Sequence, residues 1–251
     1  MIPNIISWLL DSAHWSGPDG IPTRLGEHLW YSALALVIAA VIATPLGLAI
    51  GHTGRGRFFV VNLAGAARAI PSLGLLYLMV LWLFPKLSGD TAFLIPSLIV
   101  LVVLAIPPIM SGAYAGVEGV DPAARDAAKG MGMTGLEVLR KVEVPCALPL
   151  IFSGLRSAAL QVVGTATIAA VAGLGGLGRL LIDGQKVLDY PQMASGAVLV
   201  ALLALTIDLG LALVQRYAVS PGLSGRSTTR TNTPQDVEIT RGGVTVDPQA
   251  G

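Results

Sequence analysis

The sequence predicts an all-α, polytopic membrane protein. Three observations predict it. Only 12% of the 251 residues are charged, about half the ~25% usual in a soluble globular domain. Mean hydropathy is +0.72, and 53% of the chain is apolar. The charges also leave long gaps: none falls in 29–50, 69–85, 91–117, 157–178 or 192–207. Together these argue against a soluble enzyme. A net charge of +1 offers no basic field for nucleic acid. The single cysteine, Cys146, allows no internal disulfide and no cysteine metal cluster. Thirty glycines without a triplet period exclude collagen and suit helices packed closely in lipid.

A helix needs about 20 apolar residues to cross a hydrocarbon core. Runs 29–50 and 91–117 meet that outright, and 157–178 meets it and can begin near Leu148. Run 69–85 extends back through Phe58–Val61 if Arg68 is tolerated, and 192–207 extends to Tyr217 if Asp208 is tolerated. Five spans result, at about 29–50, 58–84, 91–115, 149–172 and 192–217; a split of 58–84 would make six. None shows the alternation of a membrane β-barrel.

Lysine and arginine excess marks the inner face. With the N-terminus outside, the inner side holds Arg55, Arg57, Arg125, Lys129, Arg140, Lys141, Arg216, Arg226, Arg230 and Arg241. The outer side holds Arg24, Lys86, Arg179 and Lys186. The count favours N-out and C-in. The chain divides into 1–27, an extracytoplasmic or interfacial segment; 28–217, the membrane domain; and 218–251, a Ser/Thr/Pro/Gly-rich tail that reads as disordered and cytoplasmic. Ile5–Leu10 is too short for a signal-peptide core. A surface helix anchored by Trp8 and Trp15 is the plain reading.

Residues 118–143 carry nine charges between two apolar spans. Asp121-Pro122 reads as an N-cap with proline at the first helical position. Ala123 to Lys129 favours helix, and Gly130 and Gly132 end it. Thr134 and Glu137 form a capping box that starts a second helix to about Lys141, with Pro145 and Pro149 marking its end. A solvated connector is the bland reading of this loop.

The spacing points further. Asp126-Ala127-Ala128, three residues, Gly132, nine residues, then Val142-Glu143-Val144-Pro145 resembles the E-A-A-x3-G-x9-I-x-L-P motif of ABC-transporter permeases that work with a binding protein. Asp replaces Glu, and Val replaces Ile and Leu. Small Ala127 and Ala128 suit close approach of a partner, and Gly132 suits a sharp turn. The resemblance implies that this loop docks into a cleft of an ATP-binding subunit, with Asp126, Ala127, Ala128, Gly132, Val142 and Pro145 as coupling positions. Asp126 serves equally well as a helix-surface charge.

Over roughly 25–217 a finer resemblance holds. Ala69-Ile70-Pro71-Ser72-Leu73, Ile106-Pro107-Pro108-Ile109, Ala128–Thr134, Gly164–Ala170 and Gly173-Leu174-Gly175-Gly176-Leu177-Gly178 are similar to permeases for glycine betaine, carnitine and choline. The resemblance implies a type I ABC importer transmembrane domain in the cell membrane. It also implies three partners: an ATP-binding subunit, an extracytoplasmic substrate-binding protein and a second permease, identical or related. Other solutes of the same class, such as methionine or a sulfonate, and a stand-alone secondary transporter are the competing readings. No G-x-x-x-x-G-K-[ST] occurs, so ATP and Mg are expected on a separate polypeptide and no cofactor on this chain.

Gly173, Gly175 and Gly178 match G-x-G-x-x-G, but at the end of a membrane helix rather than in a βαβ unit. They suit a flexible helix end lining the outer mouth, or close packing. His14, His28 and His52 show no paired ligand spacing, so no metal site is expected. Asp183 and Asp189 read as solvated loop charges beside Arg179 and Lys186. Arg68, Arg156 and Asp208 are ionisable positions inside spans, a functional signal by default; pathway or gating charges and a buried ion pair are the two readings. Prolines 45, 71, 96, 107 and 108 fall inside or near spans. Pro71 and Pro107-Pro108 are candidate bends beside the pathway.

Overall fold

A computed structural model describes residues 2–219 except 59, 61, 63–64 and 66–68. Among these residues the regular elements are all helical. Helix α1 (Ile2–Leu10) and a 3₁₀ turn (Ser12–Trp15) precede α2 (Ile21–Thr53). Then follow α3 (Ser72–Leu83), α4 (Thr91–Glu118), α5 (Pro122–Gly130) and α6 (Gly135–Val138). Then come α7 (Val144–Ala169), α8 (Gly178–Lys186) and α9 (Tyr190–Ala218).

Among the described residues, four helical runs are long and apolar enough to cross a bilayer: Ile21–Thr53, Thr91–Glu118, the continuous run Gly135–Ala172, and Tyr190–Ala218. The fifth apolar segment, Ser72–Lys86, is shorter. The expected single span 58–84 is therefore broken. Pro71 caps α3 in an extended conformation, φ −70° and ψ 103°, because proline fixes φ and has no N–H to continue a ladder. Arg68 lies outside the described residues.

Helices α2, α4 and α7 form the centre, around Ala35, Ala39, Ala43, Leu101, Ala105, Ile109, Ala158, Val162 and Ala166. The contact surface of α2 is a stripe of small residues every fourth position: Ala35, Ala39, Ala43, Gly47 and Gly51, all buried. A Cβ on Gly47 would lie 2.6 Å from the Met110 carbonyl oxygen, and one on Gly51 2.9 Å from that of Tyr114. Helices α4 and α7 approach as closely: a Cβ on Gly112 would lie 2.6 Å from the Leu150 oxygen. Lipid supplies no hydrophobic drive between helices, so small residues that let backbones touch supply the contact instead. Helix α9 leaves Leu202, Leu205, Leu209 and Leu213 exposed along one face, which suits contact with acyl chains.

The N-terminal segment is tied down. Trp8 stacks on His14 with ring centroids 3.9 Å apart, and Trp15 donates to the Leu9 carbonyl at 2.7 Å. Trp8 and Leu9 pack against the cluster of Ile21, Val163, Leu180 and Leu203.

Two expectations are corrected. The second loop helix does not stop at Pro145. A π turn over Leu139–Glu143 joins α6 to α7 without a break, closed by the Val144 N–H on the Leu139 carbonyl. The wider turn changes the hydrogen-bond register just ahead of Pro145, where the proline ring and its missing N–H disrupt an α-helical ladder. The segment holding Asp183 is likewise a helix, α8, not an irregular loop. Asp183 pairs with Arg179 at 3.1 Å and Lys186 at 3.2 Å on successive turns.

Candidate functional site

The predicted site residues fall into four places rather than one. The first is the helical hairpin 118–143. Asp121 caps α5, its carboxylate accepting from the Ala123 N–H at 2.9 Å, with Pro122 at the first helical position. Gly132 turns the chain at φ +84°, a conformation that costs a side-chain-bearing residue about 1–2 kcal/mol. Both halves of the Thr134–Glu137 capping box are present. Asp126, Ala127 and Gly132 are exposed, as are Met131 and Leu136, so a small and apolar surface is presented outward. Asp126 stands 3.9 Å from Lys129. Ala128 does not join that surface: it is 1% exposed. A helix turns about 100° per residue, which sends Ala128 inward, so its small size lets α5 settle onto the chain's own bundle. Val142 and Pro145 are half-buried at the root of α7.

Glu137 is held down to about 2, chiefly by the Thr134 N–H, with Lys141 and the Thr134 hydroxyl adding to it. A carboxyl lowered from 4.5 on folding stabilises the folded hairpin fully above the unfolded value, and that contribution is lost as pH falls toward the folded one. Amide protection at Glu137 and Val138, corrected for intrinsic exchange, is therefore expected to hold at pH 5 and decline as the pH is lowered from about 4.5 toward 2. Protection that stays flat over that window contradicts the assignment.

The second place is the opposite end of α7, about 39 Å from the hairpin at 1.5 Å per residue. The helix ends at Gly173, φ +97°, and the chain turns again at Gly176, φ +89°. The Gly176 N–H donates to Glu27 at 2.7 Å. Arg24 donates to the same carboxylate oxygen at 3.0 Å and also pairs with Asp19. Gly175 lies so close beneath the Glu27 carboxyl that a Cβ has no room. Buried His28 lies against the Val163 carbonyl at 3.0 Å. The glycine run is thus a folded turn latched to the start of α2.

The third place is the pair Arg156–Asp208, which bridges α7 and α9. Arg156 donates from Nε and Nη2 to the two carboxylate oxygens at 2.8 and 2.7 Å. Bidentate geometry of this kind is the strong form of the interaction. Arg156 sits twelve residues into α7, about 18 Å along it.

The fourth is an open groove of about 320 Å³ between α4 and α7. Pro107 and Pro108 line one wall; Ser111, Ser153, Ser157 and Gln161 supply hydroxyls and an amide. The two prolines free the carbonyls of Val103 and Leu104 from the helical ladder. Pro71 lies elsewhere, exposed at the start of α3.

Two polar clusters went unread in the sequence. Glu27 and His28 gave no motif. Glu143, His52 and Arg125 form an ion-paired junction beneath the hairpin; its one sequence signal was a charge lodged between Val142 and Val144.

A helical membrane bundle with an amphipathic hairpin projecting at one end, and a polar groove between its central helices, defines a membrane component of a transporter. The chain belongs to the binding-protein-dependent transport system inner membrane component family, whose profile matches residues 25–220. It is 34% identical to the glycine betaine/carnitine/choline transport system permease protein OpuCB of Bacillus subtilis, over 80% of this chain and 90% of that one. It is 35% identical to the osmoprotectant import permease protein OsmW of Salmonella typhimurium, over 81% and 91%. The fold matches the inward-facing MetNI methionine ABC transporter with a TM-score of 0.64 at 22% identity, over 77% of this chain and 94% of that one. An amino acid ABC transporter crystallised with histidines matches with a TM-score of 0.62 at 21% identity, over 86% and 94%. At that identity the two structures speak to the fold alone.

Proposed function

We propose that this chain is the permease subunit of an ATP-driven importer for quaternary-amine osmoprotectants. The observation that carries the reading is the 34–35% identity to osmoprotectant permeases over nine-tenths of their length. A binding protein delivers solute at the outer face, a second permease completes the pathway, and a separate subunit binds and hydrolyses ATP with Mg. The chain lies in the cell membrane with its N-terminus outside. The hairpin 118–143 then faces the cytoplasm and docks on the ATP-binding subunit through Asp126, Ala127 and the turn at Gly132. The membrane domain is 28–217, flanked by the outer segment 1–27 and the cytoplasmic tail 218–251.

The groove beside Pro107 is the best candidate for the solute path, because its hydroxyls and amide line a cleft in an otherwise apolar stretch. A permease that must release its cargo needs only weak contacts of this type. Gly173 and Gly175 stand at the outer mouth, where the latch on Glu27 would hold the turn. An aromatic cage for the quaternary ammonium belongs on the binding protein.

Uptake of labelled glycine betaine, choline and carnitine at high osmolarity, with and without this chain, tests the reading. Loss of uptake of at least one on deletion is expected. Unchanged uptake of all three overturns the substrate class.

A further inference from the structure

Side chains from two helices, α5 and α2, meet on one carboxylate in a third segment. Glu143 is 1% exposed and sits in the π turn at the root of α7. Its Oε1 lies 2.9 Å from Arg125 Nε, on α5. Its Oε2 accepts from His52 Nδ1, in the last turn of α2, at 2.6 Å. Arg125 also donates from Nη2 to the Val117 carbonyl near the end of α4. Across the imidazole, a Cβ on Gly135 would lie 3.5 Å from His52 Nε2, so the start of α6 packs against the same ring. A buried carboxylate is retained only when its charge is met; here Oε2 is hydrogen-bonded by His52, while Oε1 has the Arg125 guanidinium at ion-pair distance, its buried Nε making no hydrogen bond. Surface pairs on the same hairpin, such as Lys129–Asp126 at 3.9 Å, carry no such constraint.

Helix α5 is flanked by Gly119 on one side and Gly130 and Gly132 on the other. Covalent connection through those glycines would let α5 flex without moving the bundle, whereas α6 is continuous with α7. The junction removes that freedom. We infer that Glu143 is a positioning residue that, through Arg125 and His52, locks α5 to α2, α4 and the root of α7, so that displacement of the hairpin by its partner moves the pathway helices as one body. The inference rests on the coupling role proposed above for residues 118–143. The π turn serves it by carrying the Glu143 carboxylate inward, between the half-buried Val142 and Val144, in keeping with the frequent occurrence of such turns at functional sites.

The test is solute imported per ATP hydrolysed by the assembled transporter, this chain with its ATP-binding subunit and binding protein, in liposomes. Glu143→Gln is expected to lower that ratio about tenfold, the size of an ordinary coupling free energy, because uptake falls much further than ATP hydrolysis. His52→Asn keeps an N–H donor at the Nδ1 position and is expected to stay within about twofold of wild type, whereas His52→Ala loses about threefold or more. Glu143→Gln leaves Arg125 without its counter-charge, so Glu143→Gln with Arg125→Met removes both charges at similar volume and is expected to assemble yet stay uncoupled. A wild-type ratio in either assembled glutamate variant overturns the inference; if neither assembles, an unchanged ratio in His52→Ala overturns it. A wild-type complex that imports none of the three solutes fails the transport reading instead.

Discussion

Replacing Gly154 by alanine is expected to destabilise the protein by about 1–3 kcal/mol, the cost of forcing a methyl into a closed contact. Its Cβ would stand 2.6 Å from the Pro108 carbonyl oxygen and 3.0 Å from Gly112 Cα, both backbone atoms that no side-chain rotation can move. The only relief is separation of α4 from α7, which also deforms the groove between them. Gly164, ten residues along the same helix, has nothing within 4 Å of its Cβ position. Alanine there is expected to be neutral or to gain the roughly 0.5–1 kcal/mol that glycine costs in a helix. Thermal unfolding of the two purified variants in one detergent makes the comparison. Equal midpoints would mean that the α4–α7 contact is looser than described.

Neutralising Asp208 is expected to be as severe. Asp208→Asn leaves the Arg156 guanidinium, now held at 2.7 and 2.8 Å, as an uncompensated charge within the apolar part of α7. Breaking such a pair from one side leaves an unmatched charge beside apolar surface. The pair is partly accessible, with side-chain exposures of 32% and 20%, so water reached through that opening offsets part of the cost. Membrane abundance or uptake is expected to fall; normal values of both would remove any role for the pair. Arg156→Met combined with Asp208→Leu separates the two meanings. Restored abundance with restored uptake assigns the pair to helix packing. Restored abundance with uptake still lost assigns it to the pathway.

Much of this architecture is written in local pattern. Charge-free runs of helical length placed α2, α4, α7 and α9, because a bilayer imposes one length and one composition on any helix that crosses it. The Asp121-Pro122 cap, the Gly132 turn and the Thr134–Glu137 box placed the hairpin, because caps and positive-φ turns are decided by residues within four positions of each other. The stripe from Ala35 to Gly51 was equally legible as a four-residue repeat, although composition alone drew attention only to the number of glycines. The errors were also local in origin. Proline at 145 signals a stop, yet the π turn ahead of it carries the helix on.

What the sequence by itself determined is the solvent and the helices, through scarcity of charge, and the position of the hairpin, through its caps and turn residues. What only the tertiary structure decided is which distant residues meet. His52 and Glu143 are 91 positions apart, Glu27 and Gly176 are 149 apart, and Arg156 and Asp208 are 52 apart. No periodicity links such residues. Their pairing follows from how closely small side chains let α2, α4 and α7 approach, and from the cost of leaving a charge unmatched once they have done so.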